Sequence, residues 1–361
     1  MGKNSRAESV ALEENKMSPR FTYLETALDA DLLDERYLLE ITPPIRKIFY
    51  QWLPVPVSQI IETLFIHKKY DIILSQYEKV GFQLAFVFKL LRQKSNHLLV
   101  ISRITSPDPR KSKIKMWYLR KVKDSVCRFL IWSSNQRKLA IDKLGVEPNK
   151  IVLIKRGTDQ EFWTLQPAET DMICSAGMEA RDYPTLVQAL GSLSIPCHIA
   201  VSDARGEIFD TVKKLYDIKK LPAGITIGKK NYVELRDLYA RSRFVVISLL
   251  PSDSDNGLTT ILEAMAMGKP VICSKTEGQV DVIQDGVTGI FVPQGDPLAL
   301  KNAIEELWND PQRCEKMGRA ARKYIELNHN LEQFSESIID VAHQVMHENN
   351  VQHKALRAVQ V

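Results

Sequence analysis

An acidic residue, a glycine and a second acidic residue stand at helical spacing in the second half of the chain, where the sequence reads DNGLTTILEAMAMGKPVI from Asp255. A helix that starts at Gly257 leaves its first N–H groups without intrahelical partners and carries a partial positive charge there, which suits a diphosphate. Glu263 follows Asp255 by a little over two helical turns, so both carboxylates can face one side and accept hydrogen bonds from sugar hydroxyls. The predicted phosphate-binding turn comprises Asn256, Gly257, Leu258, Thr259 and Thr260.

An ordinary structural role explains the same spacing equally well. Asp255 or Asn256 can cap the N-terminus of the helix, and Glu263 can lie on its solvated face. The spacing by itself leaves the two interpretations open.

The residues around and after this pair carry a resemblance to a known family. The segments LEAMAMGKPVI, from Leu262, and DGVTGIFVPQGDPLALKNAI, from Asp285, closely resemble the donor-binding half of the family 4 retaining glycosyltransferases. The resemblance implies the GT-B fold, in which two Rossmann-like parallel α/β domains face a central cleft. It covers roughly residues 125–330 well and the remainder loosely.

The resemblance implies a role for each acid. In the family's Glu-x7-Glu pair the second acid holds the nucleotide ribose and the first contacts the donor sugar. Glu263 keeps the second position, and Asp255 occupies the first with a side chain that is one methylene shorter. Both are therefore predicted site residues.

A loop that begins at Gly177 resembles the family loop whose cations clamp the diphosphate. It places Arg181 at the lysine position and Met178 where an arginine is expected. Arg181 is the predicted cation for the leaving group, because a guanidinium binds phosphate oxygens bidentately. A surface pair between Arg181 and Asp182 is the structural alternative.

Two further segments match the family. Arg156 stands in an interdomain segment where asparagine is common, and it is predicted to replace the arginine lost at Met178. Thr288 and Gly289 are predicted to shape the nucleotide pocket from its far side.

Length and composition predict two ordinary globular domains, since 361 residues with 44% hydrophobic and 26% charged side chains exceed one compact core. Residues 1–163 are the predicted acceptor-binding domain and residues 164–330 the donor-binding domain. Residues 331–361 are predicted to form a helix that returns to the first domain, followed by a frayed tail. The five scattered cysteines, with no signal-peptide pattern and no long apolar run, predict a cytoplasmic protein.

Short apolar runs alternate with helix-period segments along both halves of the chain. Strands are predicted at residues 21–24, 71–75, 97–102, 129–133 and 151–154, and again at 171–176, 197–201, 225–227, 243–249, 270–274 and 289–292. This alternation is typical of parallel α/β sheets.

Positive charge is concentrated in the first half, where residues 43–160 carry 23 lysines and arginines against 8 aspartates and glutamates. Such a surface favours an anionic partner, such as a membrane surface, a lipid-linked acceptor or an acidic glycan, and a plain solvated surface is the alternative. Residues 45–53 mix cations with Phe49 and Trp52. Either this segment lies in a membrane interface or, as slightly favoured, its aromatic side chains pack inward.

The predicted function is a metal-independent, retaining transfer of a hexose or N-acetylhexosamine from a nucleoside diphosphate sugar to the hydroxyl of a glycan, a lipid-linked or a small-molecule acceptor. No cofactor, metal or nucleic-acid partner is expected, and the D-x-D triplets at Asp29 and Asp253 are expected to be coincidental. Two alternatives are a catalytically lapsed nucleotide-sugar-binding protein and a GT-B hydrolase or epimerase that acts on the donor itself.

Overall fold

The computed structural model describes residues 6–93, 95–105, 109–201, 210–218, 220–349 and 356–361. These residues divide into two compact units, each built around a sheet of six parallel strands. The first unit contains Thr22–Lys155 and the described residues from Phe334 onward, and the second contains residues 6–21 and Arg156–Gln333. The predicted parallel α/β architecture with two domains is confirmed. The division falls after Lys155, eight residues before the predicted boundary.

The strands and helices of the first unit alternate along the chain. Its strands are β1 (Ala30–Leu32), β2 (Ile72–Ser75), β3 (His97–Ile101), β4 (Arg128–Ile131), β5 (Ile151–Leu153) and β12 (Ala358–Gln360). Its helices are α2 (Tyr23–Ala27), α3 (Pro44–Tyr50), α4 (Val55–Ile66), α5 (Glu78–Leu90), α6 (Pro109–Val122), α7 (Ser134–Leu144) and α14, which spans Leu331–Glu348. The strand order is β1-β12-β2-β3-β4-β5.

Successive side chains of these strands enter two different cores, as expected for a sheet that is covered on both faces. Ile73 of β2 packs with residues of α4 and α5, and Leu99 of β3 packs with residues of α5, α6 and α7. Their neighbours Leu74 and Leu98 pack with α2 and with the apolar side of α14. One face of the sheet therefore carries α4 to α7 and the other carries α2 and α14.

The C-terminal tail forms a strand, so the prediction that it frays is wrong for the residues described. Ala358, Val359 and Gln360 pair in parallel with β1 on one side and β2 on the other, and Val359 is fully buried. Backbone pairing on both sides, together with apolar burial, outweighs the entropy of ordering these residues. Residues 352–355 of the predicted tail lie outside the described residues.

The first predicted strand, residues 21–24, is also wrong. Tyr23–Ala27 is helical, and the first strand begins at Ala30. Leu24 and Leu28 turn inward at helical spacing into the core beneath α14, so a short apolar run that resembles a strand is here one side of a helix.

The second unit contains a longer alternation of the same kind. Its strands are β6 (Met172–Ala176), β7 (Cys197–Ala200), β8 (Ile225–Gly228), β9 (Ser242–Ile247), β10 (Val271–Ser274) and β11 (Gly289–Val292), in the order β11-β10-β9-β6-β7-β8. Its helices are α1 (Arg6–Glu14), α8 (Tyr183–Leu190), α9 (Asp210–Tyr216), α10 (Tyr232–Arg241), α11 (Leu258–Ala266), α12 (Pro297–Asn309) and α13 (Pro311–Asn328).

Residues 6–21 join the second unit through a buried carboxylate. Asp159 accepts hydrogen bonds from the backbone N–H of Arg20 at 2.8 Å and from Nε and Nη2 of the same guanidinium at 3.0 and 2.8 Å. Arg20 also pairs with Glu332 at 3.0 Å, and the ring of Phe21 lies 5.3 Å from that of Tyr232. A bidentate, charge-assisted pair of this kind fixes the segment in one orientation.

The aromatic side chains of residues 45–53 do not follow the slightly favoured prediction of inward packing. Phe49 and Trp52 are 57% and 85% exposed, whereas Tyr50 is buried. Tyr50 turns inward because its hydroxyl donates to a buried carboxylate of α4. Across the described ranges, no helix is long and apolar enough to span a bilayer.

Candidate active site

The N-terminus of α11 lies just beyond the carboxyl end of β9. Gly257 adopts φ +88°, a left-handed conformation that glycine accepts without strain, and its carbonyl accepts the first intrahelical bond from the N–H of Ile261. The N–H groups of Thr259 and Thr260 precede that bond and point toward the helix start. Gly257 itself occupies the N-cap position and has no side chain, so neither Asp255 nor Asn256 is the N-cap residue. This terminus has the geometry of an anion-binding site.

Arg181 lies beside this helix terminus and is almost fully buried. Its Nε donates to the carbonyl of Ala176 at 2.9 Å, its Nη1 to the carbonyl of Glu179 at 3.0 Å, and its Nη2 to the hydroxyl of Thr260 at 3.1 Å. Among the described residues, these partners take three of the five guanidinium N–H donors, and one donor on each terminal nitrogen remains. The alternative of a surface pair with Asp182 is excluded by this burial, and Asp182 instead caps α8.

Two glycines allow this guanidinium to approach the backbone. A Cβ at Gly177 would lie 2.2 Å from Nη2 of Arg181, and a Cβ at Gly257 would lie 3.4 Å from Nη1. Gly177 adopts φ +111°, which also disfavours any other residue. The structure thus brings together Gly177, Arg181, Gly257 and Thr260, four of the predicted site residues.

Glu263 lies on the same side of α11 as Thr260, one helical turn further on, and is buried. Its Oε2 accepts a hydrogen bond from the Tyr239 hydroxyl at 3.1 Å, and its Oε1 accepts none from the described residues. Burial raises the pKa of the Glu263 carboxyl to about 7, against the opposing effects of the Tyr239 hydrogen bond and the charges of Arg156 and Arg181. The interpretation of Glu263 as a residue of a solvated face is therefore wrong.

Arg156 lies close enough to Glu263 to lower the pKa of that carboxyl. Its backbone is held by the ring of His329, whose Nδ1 lies 2.8 Å from the Arg156 carbonyl oxygen. The side chain of Arg156 is half-buried. The structure thus places a second cation near the buried acid, and the predicted role of Arg156 on the diphosphate stays a prediction.

Met178 stands where the resemblance predicts an arginine, and its side chain brings no charge to the site. Its side chain packs against the apolar core of the unit, and its carbonyl accepts the hydroxyl of Thr211. Of the two cations expected in this loop, Arg181 therefore supplies one.

The loop before α11 is held by residues that sequence analysis missed. Asn256 donates through Nδ2 to the hydroxyl of Ser252 at 2.7 Å, and its carbonyl accepts from Nε2 of Gln279 at 2.5 Å. A Cβ at Gly278 would lie 2.0 Å from the carbonyl oxygen of Ser254, so only glycine permits this approach of the two loops. The sequence signal was the Gly278-Gln279 pair shortly after β10. Tyr239, which orients Glu263, carried no sequence signal.

Thr288 and Gly289 are not brought to this group. Gly289 opens β11, the edge strand, and pairs with Val271 at the amino end of β10. The hydroxyl of Thr288 is buried and accepts from the N–H of Gln284 at 2.9 Å, which closes the turn before the strand. Their predicted part in the nucleotide pocket stays a prediction. Asp255 lies half-buried at the end of the loop before α11, where its carbonyl accepts from the N–H of Leu258.

In the part of the chain that the structure describes, no three histidine, cysteine or acidic side chains cluster in a way that could hold a metal ion. Metal independence stays a prediction.

Part of this unit is similar to a known family of proteins. Residues 179–324 match the family described as glycosyl transferases group 1. A D-inositol 3-phosphate glycosyltransferase of Paenarthrobacter aurescens is 40% identical over 86 residues, which cover 24% of this chain and 21% of that protein. Another, from Pseudarthrobacter chlorophenolicus, is 23% identical over 317 residues, which cover 77% of this chain and 73% of that protein. The local matches of higher identity each span less than a third of the relative's length.

A solved structure supports the fold over nearly the whole chain. HepE of Anabaena, solved in complex with UDP-glucose, superimposes with a TM-score of 0.70 at 16% identity and covers 95% of this chain and 97% of its own. The predicted GT-B fold is confirmed by this similarity, and the predicted resemblance is confirmed at the level of group 1.

Proposed function

Since residues 179–324 match the family described as glycosyl transferases group 1, we propose that this protein is a retaining glycosyltransferase. It transfers a hexose or N-acetylhexosamine from a nucleoside diphosphate sugar to an acceptor hydroxyl. One observation carries the proposal: a buried arginine with two N–H groups left for a ligand, a helix N-terminus and a buried carboxylate with one open oxygen all converge beside Thr260.

In this proposal the diphosphate lies between Arg181 and the N-terminus of α11. The two remaining guanidinium donors and the N–H groups of Thr259 and Thr260 bind phosphate oxygens, and the left-handed Gly257 allows close approach. Glu263 accepts hydrogen bonds from the ribose hydroxyls through its open oxygen, and Tyr239 fixes the orientation of the carboxylate. Asp255 contacts the donor sugar.

The proposed reaction proceeds on one face of the sugar. The bond from the anomeric carbon to the phosphate oxygen breaks, and the nucleoside diphosphate departs with the electron pair. The acceptor oxygen bonds to the same carbon on the same face, and its proton passes to the departing phosphate. Arg181 stabilises the charge that develops on that phosphate, because its donors are already oriented toward it in a buried environment. No metal ion is required in this scheme.

The acceptor is proposed to be a glycan, a lipid-linked or a small-molecule acceptor bound by the basic first unit. Residues 43–160 have a net charge of +15, which favours an anionic acceptor or one that is presented at an anionic surface. We place the enzyme in the cytoplasm, at the periphery of the membrane.

The donor site is tested by thermal stabilisation of the protein with UDP-, GDP-, ADP- and dTDP-sugars, with and without EDTA. A ligand at 100 times its dissociation constant stabilises the folded state by about 2.7 kcal/mol. We expect one nucleotide to raise the melting temperature regardless of EDTA, and Glu263→Ala to abolish the shift. Glu326→Ala, an exposed acid on α13, is the matched control. Absence of any shift with every donor would refute the donor site.

Turnover separates the three candidate functions. Incubation with the selected donor and a panel of acceptors is expected to yield a glycoside with the donor's anomeric configuration. Free sugar or an epimerised donor without acceptor would favour a hydrolase or epimerase, and donor binding without any product would favour a lapsed binding protein.

A further inference from the structure

Helix α3 makes polar contacts on its inward side, the reverse of the usual amphipathic surface helix, which packs its apolar side inward. Arg46 donates through Nε and Nη2 to the buried carboxylate of Glu62 on α4, at 2.8 and 3.0 Å. Tyr50, one turn later on the same side, donates to Glu62 at 2.8 Å. The guanidinium also lies 4.7 Å from the centre of the Phe65 ring. The inward side of α3 is thus fixed by a charge-assisted network, not by apolar packing.

The outward side of the same segment carries large apolar residues at helical spacing. Three of them lie on α3, one ends the helical turn Tyr37–Ile41 before it and one follows it, and each is between 57% and 85% exposed. We call this set the apolar stripe: Ile41, Ile45, Ile48, Phe49 and Trp52. Pro43 and Pro44 open α3, which ends at Tyr50, and Pro54 precedes α4, so the helical part of the segment is seven residues long. Contiguous apolar exposure of this size marks an interaction surface.

A second helix of the first unit exposes side chains of the same kind. On α6, Ile114 and Trp117 are 68% and 61% exposed, and they lie one turn apart. The exposed cations Lys113 and Lys121 belong to the same helix. Aromatic rings beside lysines suit the boundary between lipid headgroups and acyl chains, where rings bury their apolar body and cations meet anionic headgroups.

We propose that the apolar stripe is a membrane-docking surface that inserts into the interface of an anionic phospholipid bilayer. Charge complementarity decides for lipid over a second copy of the chain, because residues 43–160 carry a net +15 and two such surfaces would repel each other. Insertion buries the stripe without disturbing α3, since Glu62 already holds its inward side. Docking itself is independent of the proposed transferase activity, and only its use in presenting a lipid-linked acceptor rests on that function.

Vesicle flotation of the intact protein tests the docking surface. We expect binding to phosphatidylcholine vesicles that contain phosphatidylglycerol, and weaker binding at about 1 M salt, where the Debye length falls to about 3 Å. The double variant Phe49→Ser/Trp52→Ser is expected to bind at least about a hundredfold less tightly, since it removes both exposed rings from the interface. Leu298→Ser/Leu327→Ser, at exposed apolar positions of the second unit, is the matched control and should bind like the wild type.

Fluorescence locates the insertion more directly. Brominated lipids are expected to quench the wild-type emission, and Trp52→Phe is expected to lose the larger part of this quenching. Unchanged flotation of the Phe49→Ser/Trp52→Ser variant would overturn the proposal. Failure of the wild-type protein to bind anionic vesicles would also overturn it. So would a dimer of the wild-type protein that the double variant no longer forms.

Donor-induced thermal stabilisation of the same double variant separates this proposal from the proposed function. It should match the wild type, because the substituted residues belong to the first unit and all the donor-site residues belong to the second. Flotation without any donor shift in either protein would refute the donor site and leave the docking surface standing. A normal donor-induced shift in melting temperature, without flotation of the wild-type protein, would refute the docking surface and leave the donor site standing.

Discussion

Two buried glutamates, one in each unit, show how a carboxylate that stabilises a fold differs from one that is open to a ligand. Glu62 accepts three hydrogen bonds, two from Arg46 and one from Tyr50, which occupy both of its oxygens. Glu263 accepts one, from Tyr239, although Arg156 and Arg181 are near enough to affect its pKa. In both sites a tyrosine and at least one arginine lie near the acid. Only at Glu62 does an arginine form an ion pair with the carboxylate.

The difference lies in where each arginine directs its donors. Arg46 directs them to the carboxylate, whereas Arg181 donates to two backbone carbonyls and to Thr260. A carboxylate that is buried without a closed ion pair resists ionisation, which is why the pKa of Glu263 is raised to about 7. An acid and a cation that are held apart at this cost both stay available to a ligand.

The largest expected effect is on the free energy of unfolding when the ion pair at Glu62 is broken. Glu62→Gln leaves the half-buried guanidinium of Arg46 without its charged partner, and we expect the free energy of unfolding to fall by about 3 kcal/mol, at the lower end for a broken buried pair because Arg46 is partly exposed. Urea denaturation measures this loss. Donor affinity should not change.

Glu40→Gln is the control, since it breaks an exposed ion pair with Arg36 and should cost less than about 1 kcal/mol. A Glu62→Gln loss as small as that of the control would show that the two carboxylates do not differ as described.

The second expected effect is a pH dependence of donor affinity that arises from Glu263. The pKa of Glu263 is raised, so the ionised form that accepts hydrogen bonds from ribose is a minority below pH 7 and dominates above it. Donor affinity is therefore expected to increase about tenfold from pH 6 to pH 8 and then to level off. Calorimetric titration with the nucleotide sugar, whose esterified diphosphate keeps its charge over this range, measures the change.

Glu263→Gln should bind donor weakly at every pH, with a flat profile. A pH dependence that persists in this variant would assign the titration to another group.

The smallest expected effect comes from the glycine beneath Arg181. Gly177→Ala places a methyl group 2.2 Å from Nη2 and forces the guanidinium away from Thr260, so donor affinity should fall about tenfold, the equivalent of one charge-assisted hydrogen bond. Gly286→Ala has a similarly positive φ, +74°, and no atom within 4 Å of the new methyl group. This control introduces only the backbone strain, about 1 kcal/mol. It should lower the free energy of unfolding and leave donor affinity unchanged. Equal donor affinities in the two variants would contradict the role of Gly177.

The sequence indicated the alternating architecture well because strands such as β3 and β9 are continuous apolar runs bounded by polar turns. It failed at the two ends of the first unit. Residues 21–24 have the local composition of a strand but form one side of a short helix, and residues 358–360 have the composition of a loose tail but form a strand between β1 and β2. Both depend on partners that are distant in sequence, which local pattern does not contain.

The sequence by itself determined the residue types of the site and their order: a basic residue shortly after β6, then a glycine before a helix and an acid in the second turn of that helix. Only the tertiary structure decided what each does. It directed Arg181 to carbonyls and to Thr260, placed Tyr239 against Glu263, and turned Phe49 and Trp52 outward by fixing Tyr50 inward. Spacing along a chain determines which side chains can share a side of a helix, whereas hydrogen-bond partners and burial depend on elements that meet only in the folded protein.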